Sequence, residues 1–394
     1  MFYDEVPEGP PDPIFGLSDA FHADVRPNKV NLVIGIYKNE DLQSELLSTV
    51  RKAKEEILKE DLLADYLPID GSKALVGALG GLAFGDLWES LEERVYGAQT
   101  VGGTGALRIG AEFCSAFVGK TFHVPHPSWP NHRQIFERVG VVETYPYYDR
   151  SMRKFDLSAM LSYLKQLSPK SVVLLQGTCH NPTGCDPTPE EWKQIAKTMR
   201  ERELMPFFDV AYQGFGTGLD RDMAQIRYFA QEGLEFLVAY SCSKNFSLYC
   251  QRVGMLFAVT SNRALKSRVG SQMKRVIRAN YSNPPAHGAR IVAKVLGGPL
   301  RKSWVQEVDA MRERIVSMRK KLVEKLSSRC KEKRFDYLLP HQGMFSFVDL
   351  EKEQVARLIE EYAIYLPDNG RINVAGLNSK NIDDVVEALV NVMS

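Results

Sequence analysis

Between about residue 100 and residue 260, short apolar runs alternate with helical patterns, and this alternation is the strongest constraint on the fold. "KTFHVPHPSW", "SVVLLQGTCHNPTG", "LMPFFDVAYQGF", "EFLVAYSCSKNF" and "RVGMLFAVT" each read as a buried strand followed by a polar turn. Between them lie "DLSAMLSYLKQL" and "TPEEWKQIAKTMRERE". The second opens with Thr188 as N-cap, Pro189 at the first helical position and Glu191 three residues after the cap, which is a capping box. Strands alternating with helices predict an α/β fold, a largely parallel sheet covered on both faces. Such sheets bind ligands at the carboxyl ends of their strands. Lys244, Asp209, Asn181 and Trp129 all fall at such ends.

The flanks extend this frame. From about 302 to 329, Trp304, Val308, Met311, Ile315, Met318, Leu322 and Leu326 recur at steps of three and four. That spacing predicts a long helix leaving the sheet domain for a smaller one that runs to Ser394. With 394 residues, the chain is long enough for two domains. Residues 1–14 read as an extended arm, because Pro7, Pro10, Pro11 and Pro13 block a helix and remove backbone donors. Such an arm is either disordered or held by another chain. Fifty basic against forty-nine acidic residues argue against a general binder of nucleic acid or anionic membrane, yet leave room for a small anionic ligand. The six cysteines form no C-x-x-C pair and read as reduced thiols in a cytoplasmic protein, and no metal site is expected. The acidic, proline-rich start lacks the pattern of a signal peptide, and no apolar run approaches the ~18 residues of a membrane span.

Several residues invite a chemical reading beside a plain structural one. Lys244 lies in "VAYSCSKNFSLYCQRVG", just after an apolar run, where an unpaired ammonium is expensive. "VGGTGALRIGAEF" is a glycine-rich turn opening a helix: either a tight turn, or a phosphate cradle in which Gly102, Gly103 and Thr104 present donors. It has neither the Walker nor the dinucleotide spacing. Asn181 sits in the turn "CHNPTGCDPT". Asp209 follows a Phe pair at a strand end, so it needs an ion-pair partner or a cation-like ligand group. Trp129 in "HPSWPNH" suits a core as well as a ligand face. Arg278, upstream of His287 in "RANYSNPPAHG", and Arg371 in "DNGRINVAGL" are either surface residues or forks for a carboxylate.

Together these stretches resemble the class I pyridoxal-phosphate aminotransferases of fold type I, and most of all the aspartate and aromatic aminotransferases. The resemblance covers nearly the whole chain. It runs in order through "DPIFGLSDAF", "YLPIDG", "GGTGALR", "PSWPNH", "HNPTG", "FDVAYQGF", "SKNFSLY", "RANYSNPPAHG", "GMFSF" and "GRINVAG".

The resemblance implies a large cofactor-binding domain over residues 46–310, a discontinuous small domain from 15–45 and 311–394, and an arm over 1–14 that clasps a second subunit. It makes Lys244 the Schiff-base lysine and proton carrier for pyridoxal 5′-phosphate. Asp209 would pair with the pyridinium nitrogen. Asn181 and Tyr212 would bond the phenolic oxygen, and Trp129 would stack on the ring. The phosphate would be held by Gly103, Thr104, Ser241 and Arg252, with Ser243 a weaker candidate and Tyr66 reaching in from the neighbouring subunit. Arg371 and the backbone at Gly35 would bind the substrate α-carboxylate, and Arg278 of the partner the distal one. The implied protein is a homodimer with shared active sites that transaminates L-aspartate and 2-oxoglutarate by a ping-pong mechanism. An aromatic or broad-specificity aminotransferase is the alternative; a lyase on the same scaffold, or a non-enzymatic cofactor binder, fits less well. Two residues depart from the family pattern. Val33 stands where many members have glycine, and Gln176 where many have histidine.

Overall fold

In the computed structural model of the chain, seven strands form a central sheet. Their order across it is Val95–Val101, Val253–Val259, Phe236–Ser241, Met205–Val210, Val172–Gln176, Thr121–His126 and Val141–Pro146. Val253–Val259 runs antiparallel to both of its neighbours, and the remaining pairs are parallel. The structure describes residues 1–9, 12, 14–60, 65–330 and 334–393. Pro10, Pro11 and Pro13 of the expected arm therefore lie outside the described residues.

The central strands are buried on both faces, and alternate residues serve two different cores. Val173, Leu175, Phe208 and Val238 join one apolar cluster. Val172, Leu174, Phe207 and Leu237 join another. This period of two, with apolar residues at every position, is what a sheet sandwiched between helices requires. The layers are thus helix, sheet, helix. The predicted helices occur as Leu157–Leu164 and Pro189–Glu201, and the second has the reciprocal Thr188–Glu191 capping box.

Two strands were not expected. Val141–Pro146 is an edge strand with mostly exposed side chains, so it lacks an apolar run. Val95–Val101, "VYGAQTV", carries Gln99 and Thr100, which are fully buried. Gln99 is satisfied by long-range bonds, accepting from the Ser72 amide and donating to the Pro285 carbonyl. Such partners are invisible to a pattern of hydrophobicity.

A third cluster gathers Val30, Leu32 and residues from Met311 to Met393. The 30-residue helix Leu300–Arg329 links it to the sheet: Trp304 and Val308 pack in the first core, Met311 to Leu326 in the third. Trp304 also reaches toward Lys244. Its indole stacks on Phe246 at 4.5 Å and donates to the Asn245 carbonyl at 2.8 Å. Residues 1–9 contain no helix, and Met1, Phe2, Tyr3 and Val6 are exposed. Among the described residues, no helix is long and apolar enough to cross a membrane, and all six cysteines are free thiols.

Candidate active site

Lys244 follows the buried strand Phe236–Ser241 in a turn closed by Ser247 N–H to the Lys244 carbonyl at 3.0 Å. The side chain is half-buried, with Nζ 5.1 Å from the centre of the Tyr212 ring. Loss of water pushes its pKa down to about 8; nearby Asp209 opposes this and Arg252 adds to it. An amine poised there can lose its proton near neutral pH, which a base or nucleophile needs and an exposed lysine lacks.

Asp209 lies one residue before the end of the neighbouring strand Met205–Val210 and is anchored from behind. His132 Nε2 lies 2.8 Å from Asp209 Oδ2, and Ser128 Oγ lies 2.7 Å from His132 Nδ1. His132 is fully buried on the short helix Pro130–Phe136. The carboxylate is thus fixed in place. Nothing in the local pattern of "HPSWPNH" marks His132 for this role. Its partner lies 77 residues away, and only the parallel sheet brings the two together.

At the next strand end, the helix Gly102–Phe117 points its N-terminus into the same space. Gly102 has φ +69°, and a Cβ there would lie 2.5 Å from the Arg252 guanidinium. The Gly102 N–H donates to the Arg252 carbonyl at 3.0 Å. Arg252 Nη1 donates to the Tyr249 carbonyl at 3.1 Å and approaches Ser243 Oγ at 3.4 Å. A Cβ at Gly103 would lie 2.9 Å from Ser241 Cβ. Glycine therefore lets a guanidinium, a hydroxyl and a helix N-terminus converge, which is a cradle for a phosphate.

Arg371 opens the short strand Arg371–Asn373 and is 3% exposed. Its junction with a turn had left a surface role open, so this burial decides the point. Nη1 donates to Asn181 Oδ1 at 3.0 Å, Nη2 donates to the Val33 carbonyl, and the guanidinium lies 4.3 Å from the Phe345 ring centre. Among the described residues Nε has no hydrogen-bond partner and the side chain has no ion pair. Desolvation pushes its pKa down to about 10. A buried guanidinium without an anion is costly, so the arrangement calls for an anionic ligand. Asn181 Nδ2 also approaches the Tyr212 hydroxyl at 3.5 Å, and burial raises the Tyr212 pKa despite Arg371 nearby.

These groups line one cavity of about 540 Å³, the size of a small-molecule site. The structure brings together Gly35, Gly103, Thr104, Trp129, Asn181, Asp209, Tyr212, Ser241, Ser243, Lys244, Arg252 and Arg371. Gln176 joins them, and Val33 touches the site through its carbonyl. Phe345 and Tyr249, which had no assigned role, also line it. The cationic Lys244, Arg252 and Arg371 outnumber the carboxylates Asp12 and Asp209, so the cavity favours an anion. Tyr66 and Arg278 are not among the lining residues. Tyr66 is 91% exposed, and Arg278, exposed at the end of helix Arg263–Asn280, bonds Ser282.

Comparison with known proteins gives a consistent result. Residues 27–389 match the family described as aminotransferase class I and II. The chain is 44% identical over 395 aligned positions to an aspartate aminotransferase of Pseudomonas aeruginosa, covering 99% of each chain. Its structure superimposes on that of an aromatic-amino-acid aminotransferase from Burkholderia pseudomallei, covalently bound to pyridoxal phosphate. The TM-score is 0.97 with 44% identity, and all of both chains is covered. A cytoplasmic aspartate aminotransferase of Saccharomyces cerevisiae matches with a TM-score of 0.96 and 35% identity, over 99% of this chain and 98% of that one.

Proposed function

The chain belongs to the class I and II aminotransferases, and on that footing we propose that it transfers the amino group between L-aspartate and 2-oxoglutarate using pyridoxal 5′-phosphate. The observation that carries this reading is the cavity of Lys244, Asp209, Arg252 and Arg371: a depressed amine between two anion sites, facing a carboxylate held by His132.

The residues fit the cofactor. Its phosphate suits the cradle of Gly103, Thr104, Ser241 and Arg252, where a Cβ in place of either glycine would collide. Its protonated ring nitrogen suits Asp209, its phenolic oxygen Asn181 and Tyr212, and its ring face Trp129. When bound, pyridoxal 5′-phosphate supplies an electron sink that loosens the substrate α-proton and stores the amino group between two half-reactions.

The chain does the rest. Lys244 would hold the cofactor, and its amine would move a proton to and from the substrate α-carbon; desolvation sets its basicity for that task. Asp209, locked by His132, would keep a positive charge on the ring nitrogen. Arg371 grips the α-carboxylate, and Gly35 lets backbone and Phe345 approach: a Cβ there would lie 2.8 Å from the Phe345 ring. Both half-reactions use one site in turn, hence ping-pong kinetics.

We read the active unit as a homodimer. Arg278 and Tyr66 lie outside their own cavity, and the family resemblance sends both into the partner's, Arg278 to the distal carboxylate and Tyr66 to the phosphate. We assign residues 46–310 to the cofactor-holding unit and residues 15–45 with 311–394 to the unit carrying Arg371, a division that the apolar clusters support except at Cys179, Tyr212 and Phe215, which pack with the second. An aromatic or broad preference draws support from the apolar Ile14, Ile34 and Leu107 in the lining. Steady-state kcat/KM for aspartate against tyrosine and phenylalanine tests the choice, and a lead for either aromatic acid would reassign the substrate.

A further inference from the structure

Gln176 makes an unusual pair of bonds at the floor of the site. It ends the strand Val172–Gln176, in register with Asp209, and is 4% exposed. Its Nε2 donates to the Asn181 carbonyl at 2.9 Å, and its Oε1 accepts from the Asn181 N–H at 2.9 Å. One carboxamide thereby satisfies both backbone groups of one residue, as a neighbouring strand would. Reversing the amide would set two donors and two acceptors against each other, so the network fixes its orientation.

Asn181 spends its side chain elsewhere. Oδ1 accepts from Arg371 Nη1 at 3.0 Å, and Nδ2 approaches the Tyr212 hydroxyl at 3.5 Å. Residue 181 lies in a turn, where no ladder holds its backbone. We propose that Gln176 is a positioning residue for substrate binding: it straps the backbone of Asn181 so that the Asn181 side chain aims the Arg371 fork at the α-carboxylate. The side-chain hydrogen bonds of Gln176 go to the Asn181 backbone and not to the fork. The role needs a primary carboxamide. Glutamate at this position has no donor for the Asn181 carbonyl, and the two ring nitrogens of histidine point in divergent directions and cannot serve one backbone unit. The inference rests on the reading of Arg371 as the carboxylate site.

Succinate, a dicarboxylate with no amine to react, tests it. Its Kd is measured calorimetrically on the cofactor-loaded enzyme for the wild type, Gln176→Leu, Gln176→Glu, Asn181→Ala and the Gln176→Leu/Asn181→Ala double variant. Arg371→Lys is the control. Gln176→Leu should raise the Kd, and the KM for aspartate, about tenfold, with kcat changed by less than about threefold. Gln176→Glu should do the same in direction, and serves alone if the Leu variant fails to fold. In the Asn181→Ala background, Gln176→Leu should change the Kd by less than about twofold, because the strap then has nothing to aim. Losses that add in full, or a Kd left at the wild-type value while only thermal stability falls, would overturn the positioning role. A Kd moved by Arg371→Lys but not by Gln176 overturns the strap alone. A Kd that Arg371→Lys leaves unchanged overturns the carboxylate site and the strap with it.

Discussion

The floor of the cavity and the face bearing Tyr66 and Arg278 are built on opposite plans. On the floor every key polar group is held by its own chain: Ser128 to His132, His132 to Asp209, Gln176 to Asn181, Asn181 to Arg371. His132, Asp209, Gln176, Asn181 and Arg371 are all buried. On the other face Tyr66 is 91% exposed and Arg278 bonds only a neighbouring serine hydroxyl among the contacts resolved. Rigid, desolvated groups are what charge-dependent chemistry requires, because each interaction strengthens as water leaves. Exposed long side chains are what an interface requires before its partner arrives. On the proposed homodimer, chemistry would rest on groups of one subunit and substrate choice on Arg278 supplied by the other.

The largest expected effect falls on the floor. Lys244→Ala should lower kcat by about ten-thousandfold or more, since both the covalent anchor and the proton carrier disappear. Borohydride reduction of the loaded wild type followed by peptide mapping should label Lys244; a label elsewhere would move the role. Asp209→Ala should cost about a thousandfold in kcat, ~4 kcal/mol, measured under saturating aspartate. A loss under about tenfold, ~1.4 kcal/mol, would assign the ring nitrogen to another group.

The exposed face should respond selectively. Arg278→Asp should lower kcat/KM for aspartate about a hundredfold, ~2.7 kcal/mol, while sparing or raising turnover of a cationic amino acid such as arginine. Equal losses for aspartate, phenylalanine and arginine would make Arg278 structural. Mixing Lys244→Ala with Arg278→Ala protomers should restore some aspartate activity, because one site of each mixed dimer receives both intact residues. No recovery despite demonstrated subunit exchange would collapse the distinction between the two regions.

Legibility in the sequence followed the same divide between local and distant causes. The strand Phe236–Ser241 announces itself, because a strand covered on both faces is a near-continuous apolar run, here Phe236 to Tyr240. Lys244 and Arg252 share one contiguous motif and the Gly102–Thr104 turn forms another, so each was readable alone, whereas their convergence rests on the pairing of Val253–Val259 with Val95–Val101. Asp209 signalled that it needed a partner, but not which one; His132 lies 77 positions away on a seven-residue helix. Val95–Val101 hid because buried Gln99 and Thr100 look like surface residues until their partners are known. Gln176 was visible as a departure from the family pattern, yet its purpose depends on the path of the turn to Asn181. Local chemistry can be read along the chain, whereas pairings set by sheet order cannot.

A last expected effect, on stability and not on turnover, concerns the desolvation of Lys244. In the chain without cofactor its pKa is pushed down to about 8 from an ordinary 10.5. Below about pH 8 the amine is protonated in both folded and unfolded states, so the folded state bears the full cost of a desolvated ammonium. Between about pH 8 and 10.5 the unfolded chain still binds that proton and the folded one does not. Stability must then rise with pH, by at most ~1.4 kcal/mol per unit. Above that window the penalty is gone. Other groups titrate in the same range, so the measured quantity is the difference in unfolding free energy between cofactor-free wild type and Lys244→Met, followed by denaturant titration at each pH. That difference should shift in favour of the wild type as pH climbs through the window. A flat difference for Lys244 would mean that its ammonium keeps enough water or charge compensation to sit at its ordinary pKa. The floor of the site would then be less distinct from the exposed face than its burial indicates.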